Sequence, residues 1–218
     1  MRTTVTYLFD PLCGWCYGAS PVIQQLGQQE DIQLELAPTG LFAGGGRSMD
    51  AAFADYAWSN DVRIAKLTGQ RFTEAYRSQV LGRHGSRFDS MPATLALTAV
   101  SLSAPQRELD TLKLLQEARY VQGLDICDEA VVLTLLRALD LSAAANRLAA
   151  KDAELEAANT ARIRKAQGWM QTLGVQGVPA LVVSAGQDSR LLSGSVLYGG
   201  LDELLNQITA ATTSRCRA

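Results

Sequence analysis

The sequence has one histidine, His84, no run of basic residues, no long apolar stretch and no second pair of closely spaced cysteines. Each shortage excludes a class of function. Lys and Arg total 20 against 22 Asp and Glu, a formal charge of −2, so the footprint of a nucleic-acid or anionic-membrane binder is missing. The longest candidate span, Met91 to Ala104, is broken by threonine and serine and bounded by Pro92 and Pro105. It falls short of the roughly 20 residues a membrane helix needs. The N-terminus, Met1-Arg2-Thr3-Thr4-Val5-Thr6-Tyr7, passes directly into an alternating strand, without the apolar region of roughly 7–15 residues that marks a secretion signal. The expected location is therefore the cytoplasm, or the periplasm if a leader has been removed. Cysteines in a reducing compartment are not expected to form stable bridges. At 218 residues and 47% hydrophobic, the chain can bury a core without them.

What is present is Cys13-Gly14-Trp15-Cys16, a few residues after the apolar run Val5-Tyr7-Leu8-Phe9. A Cys-x-x-Cys at the end of a first strand is a redox-site signature. If Cys13 opens a helix, its sulfur lies over unpaired backbone N–H groups at the positive end of the helix dipole, which favours thiolate over thiol. Cys13 is then the attacking sulfur. Cys16, three residues on, lies on the same face and closes the ring to release the substrate. Half a zinc site and a plain structural disulfide are the alternatives. Zinc needs further ligands, and Cys127, Cys216 and His84 stand at no matching spacing, so no metal is expected. Cys127, at the start of a helix, and Cys216, in a polar tail, are expected to be ordinary thiols, with a bridge between them left open.

Along the chain, Val5–Phe9 is a strand, followed by a helix to about Gln28 and a half-buried strand over Ile32–Ala37, ended by Pro38. This β-α-β unit requires parallel pairing. Thr39–Ser48, with Gly40, Gly44, Gly45 and Gly46, is expected to be a flexible linker rather than a phosphate loop, because the Gly-x-x-x-x-Gly-Lys-Ser/Thr pattern is missing and only Arg47 offers a charge. Helices are expected over Asp50–Leu67, Phe72–Gln79, Met91–Leu102, Gln106–Gln122 and Asp128–Leu139, and from Ser142 to near Leu173, with Asp50, Asp128 and Ser142 as N-caps. Their apolar stripes (Leu112, Leu115, Val132, Leu136) suit a core. Strands Ala180–Val183 and Arg190–Ser193 form a hairpin across a five-residue turn, and Leu201–Ile208 is a last amphipathic helix. Trp58 and Trp169 are expected to anchor the core or an interface, His84 to be solvated, and Trp15 to offer substrates an apolar contact. Glu35 is weighed between a buried acid beneath the cysteines and an exposed carboxylate, with exposure favoured.

The stretch Phe9-Asp10-Pro11-Leu12-Cys13-Gly14-Trp15-Cys16-Tyr17-Gly18, with Pro21, resembles the active-site segment of the DsbA family of thiol-disulfide oxidoreductases in the thioredoxin superfamily, most closely its FrnE-like branch. Gly174-Val175-Gln176-Gly177-Val178-Pro179-Ala180-Leu181 resembles the segment in which that family carries a cis-proline facing the cysteine pair. The resemblance implies an α/β thioredoxin-like fold with a large inserted α-helical domain: residues 1–45 and 170–218 as a discontinuous thioredoxin-like domain, 46–169 as the insertion. It implies Cys13 and Cys16 as catalytic, with Gly14, Trp15, Val178 and Pro179 contacting substrate. The redox-active disulfide replaces a cofactor, glutathione is a candidate co-substrate, and the partners are thiol- or disulfide-bearing proteins or small molecules. The dipeptide Gly-Trp lacks a histidine, so a strongly oxidising character is not carried over. A related glutathione-dependent isomerase and transferase branch lacks the paired cysteines; acting on a small electrophile in that manner is the alternative function.

Overall fold

The computed structural model describes residues 2–186 and 188–213. Its main sheet has four strands in the order β2-β1-β5-β6, drawn from both ends of the chain: β1 (Thr3–Phe9), β2 (Ile32–Pro38), β5 (Ala180–Ala185) and β6 (Asp188–Leu192). β1 pairs parallel with β2 and antiparallel with β5, and β5 pairs antiparallel with β6. A two-stranded ladder joins β3 (Arg47–Ser48) to β4 (Arg87–Phe88). The central strand is buried on both faces, which explains its near-continuous apolar run. Val5, Tyr7 and Phe9 pack toward α1 (Gly14–Gly27), while Leu8 joins Ala37, Ala180 and Val182 under Ala166 and Trp169 of α8 (Ala153–Leu173).

Between these strands lie α2 (Ala51–Thr68), α3 (Glu74–Tyr76) with a π-turn over Arg77–Leu81, α4 (Met91–Ser103), α5 (Glu108–Tyr120), α6 (Glu129–Ala138), α7 (Ser142–Ala150) and then α8. A final helix, α9, spans Leu201–Thr213. The apolar segment that was too short for a membrane is α4, whose Ala93, Ala96, Leu97, Ala99 and Val100 are fully buried in the helical bundle. Among the described residues no helix is long and apolar enough to cross a membrane.

Several local expectations need correction. Asp50 and Asp128 cap their helices, accepting from Phe53 N–H and Ala130 N–H, but Ser142 is inside α7 and caps nothing. The long stretch to Leu173 is two helices: Lys151 turns left-handed at φ 49, and Asp152 caps α8 through Leu155 N–H at 2.7 Å. Cys127 does not begin a helix but lies in the turn before the Asp128 cap. The glycine-rich linker is pinned, because Phe42 N–H donates to Asp10 and Gly44 N–H to Asp89, and Arg47–Ser48 enters the small ladder. The hairpin is tighter than five residues, since Ala185 already pairs with Asp188. Helix α8 runs across positions 169 and 170, and its last turns lie on the sheet. Cys216, and with it the bridge to Cys127 left open by the sequence, lies outside the described residues.

Pro21 sits inside α1, where it cannot supply the N–H that Tyr17 carbonyl would accept. The Gln70 side-chain amide fills that place, donating to Tyr17 O at 3.1 Å and to Ser20 Oγ at 2.8 Å. The helix keeps its proline without leaving a buried carbonyl orphaned, and the loop after α2 is tied to the active-site helix.

Candidate active site

The first strand delivers the chain into a tight turn in which Cys13 N–H donates to Asp10 O at 3.0 Å. Cys13 is the N-cap of α1, with extended backbone (φ −82, ψ 113), and its sulfur accepts the N–H of Cys16 at 3.2 Å. Sulfur thus takes the position a serine or aspartate oxygen holds in an ordinary cap. The first turn of α1 carries no acidic residue of its own. Both cysteines are free thiols, 7% and 1% exposed. Burial, and then the neighbouring Cys13, push the Cys16 thiol well above its ordinary value, so Cys16 is held as a neutral thiol.

Across from Cys13, the loop before β5 brings the Val178 carbonyl within 3.5 Å of its sulfur. The Val178–Pro179 peptide bond is cis. Gly194 lets the Pro179 carbonyl approach, since a Cβ there would lie 2.8 Å from it. Trp15 is half-buried, its ring edge-on to Tyr198 at 5.5 Å. Cys13, Gly14, Trp15 and Val178 therefore converge on one spot, with Cys16 beneath it and Pro179 adjoining.

Four residues that build this site escaped the sequence pattern. Asp10 is fully buried and accepts from Leu12 N–H (2.9 Å), Phe42 N–H (3.0 Å) and Ser90 Oγ–H (2.8 Å). It joins the cysteine turn, the glycine-rich segment and the start of α4. Burial raises its carboxyl while the three donors pull it down. Glu35 is not beneath the cysteines; it pairs with Lys165 near the surface at 3.2 Å. Tyr120 donates to Leu12 O at 2.7 Å, Tyr198 to Trp15 O at 3.0 Å and Tyr7 to Cys16 O at 3.3 Å. Three phenols from three elements thus fix the carbonyls around the pair.

Beside Cys13 opens a mostly apolar cleft of about 230 Å³ walled by Phe42, Phe53, Leu81, Phe88 and Val178, with exposed Leu41 and Tyr56 at its lip. Its polar lining includes Asp61 and Arg119, 4% and 1% exposed. Arg119 lies over the rings of Tyr76, Phe88 and Tyr120 and pairs with Asp125 at 3.6 Å. Cys127 sits near that guanidinium, but burial pushes its thiol up to about 11, which suits an unreactive residue. His84 is exposed, and Trp58 leans on Tyr76 beneath Arg77. Among the described residues no group of three or more His, Cys, Asp or Glu is arranged to hold a metal ion.

The family model for the DSBA-like thioredoxin domain matches residues 4–206. The chain belongs to this family. Among solved structures, the cytosolic disulfide reductase DsbM from Pseudomonas aeruginosa is 28% identical, with a TM-score of 0.83 over 95% of this chain and 98% of that one. The same reductase with GSH gives 28% identity and a TM-score of 0.81 over 95% and 99% of the two chains. A Nitrosomonas europaea structure at 24% identity, TM-score 0.80 and 97% coverage of both chains shares the fold. Curated protein sequences return no match. DsbA-like proteins work through a redox-active disulfide rather than a bound cofactor, and a complex of one relative with glutathione is compatible with glutathione as a co-substrate.

Proposed function

We propose that this protein is a cytoplasmic thiol-disulfide oxidoreductase of the FrnE-like type, used as a reductase or isomerase, in which Cys13 attacks and Cys16 resolves. The observation that carries the reading is the Cys13 sulfur, capping α1 with the Cys16 N–H at 3.2 Å and facing the Val178 carbonyl at 3.5 Å. The Cys13 thiolate attacks one sulfur of a substrate disulfide; that S–S bond breaks, a Cys13–substrate disulfide forms, and the departing sulfur takes up a proton. Cys16 then loses its proton and attacks Cys13, forming the Cys13–Cys16 disulfide and releasing the second substrate thiol. The substrate gains two electrons and the protein loses them. Two molecules of glutathione would return the pair to dithiol, leaving as glutathione disulfide.

The geometry suits this order of events. Cys16, buried and neutral, does not compete with Cys13 for the incoming disulfide. Val178 offers its carbonyl beside the attacking sulfur, Pro179 shapes that loop, and Gly14 and Trp15 border the approach. The similarity to a cytosolic disulfide reductase supports both the direction and the compartment. The discontinuous division at 45/46, with the insertion ending near 169, is kept as the domain proposal. A second reading, a glutathione-dependent isomerase or transferase acting on a small electrophile, is favoured by the apolar cleft next to Cys13. Reduction of insulin by glutathione separates the two. Cys13→Ser and Cys16→Ser both abolish turnover under the first reading. Undiminished turnover with Cys13→Ser refutes it, and a Cys16→Ser protein that still transfers glutathione to an electrophile supports the second.

A further inference from the structure

Asp61 is an acid on the buried stripe of α2, one turn before the fully buried Ile64. Its carboxyl lies against the first residue of α1: a Cβ added at Gly14 would meet Asp61 Oδ1 at 2.5 Å and Ile64 Cδ1 at 3.2 Å. Glycine between the cysteines is what lets α2 bring a carboxyl this close to the first residue of α1. Oδ2 accepts from Tyr76 Oη–H at 3.0 Å, while Oδ1 is turned toward Gly14. Asn in this place would pack as well and still accept from Tyr76. An acid here has an electrostatic consequence that an amide lacks.

The consequence follows from position. A helix N-terminus offers roughly half a positive charge to whatever anion lies on it. Cys13 as thiolate and Asp61 as carboxylate face the same helix start inside a poorly hydrated cleft, so each disfavours the other. We propose that Asp61 is a positioning residue for the Cys13–Cys16 pair: as a carboxylate against the start of α1 it disfavours the Cys13 thiolate, withholds stabilisation from the reduced pair and biases it toward giving up electrons. The inference rests on Cys13 being the attacking thiol. In the exchange with glutathione, the protein disulfide breaks, two glutathione S–H bonds are lost, one glutathione disulfide forms and Cys16 keeps a proton. Cys13 either keeps the second proton or releases it to solvent, and only the second state is opposed by Asp61.

The titratable and charged groups acting on Asp61 are Tyr76 from α3 and Arg119 from α5, and Tyr120 of α5 and Cys13 at the head of α1 line the same cleft. Tyr76 and Arg119 draw the carboxyl down, but burial outweighs them and lifts it to about 7. The bias is therefore present above neutral pH and relaxed in acid.

The test is the pH profile of iodoacetamide alkylation at Cys13, resolved by fragment mass spectrometry, in the wild-type chain and in Asp61→Asn. The variant is expected to alkylate with a midpoint lower by about half to one pH unit, a three- to tenfold gain in thiolate, with the two rates converging in acid, where Asp61 is protonated. At pH 7.5, where Asp61 is only partly ionised, the variant is expected to become half-reduced at a two- to threefold lower [GSH]²/[GSSG], threefold corresponding to about 14 mV. An unchanged midpoint, or one constant rate ratio at every pH, overturns the proposal, since a packing change alone alters access equally throughout. Tyr76→Phe supplies an independent arm. Loss of its donor keeps Asp61 neutral to higher pH, so the Cys13 midpoint falls in the wild-type background and does not move in Asp61→Asn. A shift in both backgrounds overturns the proposal. Failure of Cys13 and Cys16 to join in redox buffer would instead defeat the oxidoreductase reading, which the alkylation profile does not depend on.

Discussion

Replacing Asp10 by alanine removes the side chain that joins the cysteine turn to the glycine-rich segment and the start of α4. Three donors lose their acceptor: Leu12 N–H, Phe42 N–H and Ser90 Oγ–H, now at 2.9, 3.0 and 2.8 Å. A buried donor left unpaired costs roughly 1–3 kcal/mol. The Ser90 hydroxyl can rotate and the Phe42 amide is only partly buried, so the expected loss is about 3 kcal/mol rather than the full sum. Relief from burying the carboxyl offsets part of it. Asp10→Asn is not conservative: its oxygen can serve Leu12 N–H, but its NH2 then faces the Phe42 N–H, donor against donor, at a cost of about 2 kcal/mol. Urea unfolding followed by tryptophan fluorescence reads both, against a total stability on the order of 5–15 kcal/mol. In the Asp10→Ala background, Ser90→Ala should lose most of its own effect, because the bond it removes is already gone. An Asp10→Ala protein within about 0.5 kcal/mol of wild type, at unchanged denaturant slope, would refute the reasoning.

Tyr120→Phe deletes the 2.7 Å bond to Leu12 O while keeping the stacked ring on Tyr17, so unfolding free energy should fall by about 1 kcal/mol, measured in the same urea titration. Asp61 predicts a pH dependence of stability. Its folded value, about 7, lies above the unfolded value near 4, so the folded state holds the extra proton and stability falls as pH rises between them. At 1.36 kcal/mol per pH unit the effect approaches 4 kcal/mol. Asp61→Asn should therefore gain on wild type by about 2–4 kcal/mol between pH 4.5 and 7.5, and a difference that is flat with pH contradicts the placement of that carboxyl.

The sequence made some of this legible because the relevant information is local. Cys13 and Cys16 follow an apolar strand, so their place at a helix start comes from short-range pattern. The strands β1 and β2 and most helices follow from period-two and helical spacing. The Asp152 cap of α8 is hidden in the sequence because the run of helix-forming residues continues on both sides of the left-handed Lys151. The polar groups around the pair are non-local by nature. Asp10 meets Ser90 across the chain, Tyr120 meets Leu12, and Gln70 replaces the bond Pro21 removes. Periodicity says which face of a helix is buried, not which atoms it meets. One signal was available: Ala57, Asp61 and Ile64 share a stripe on α2, and an acid on an otherwise apolar stripe marks a carboxyl that the fold holds away from water.

The proposed activity requires the two sulfurs at the start of α1 to join and part reversibly. Equilibration of the protein across a range of GSH to GSSG ratios, acid quenching, alkylation and peptide mass spectrometry test it directly. The expected result is a single two-electron transition in which Cys13 and Cys16 pass together from alkylated thiols to one intramolecular disulfide. A persistent glutathione adduct on Cys13, or alkylation of both residues at every ratio, would contradict it.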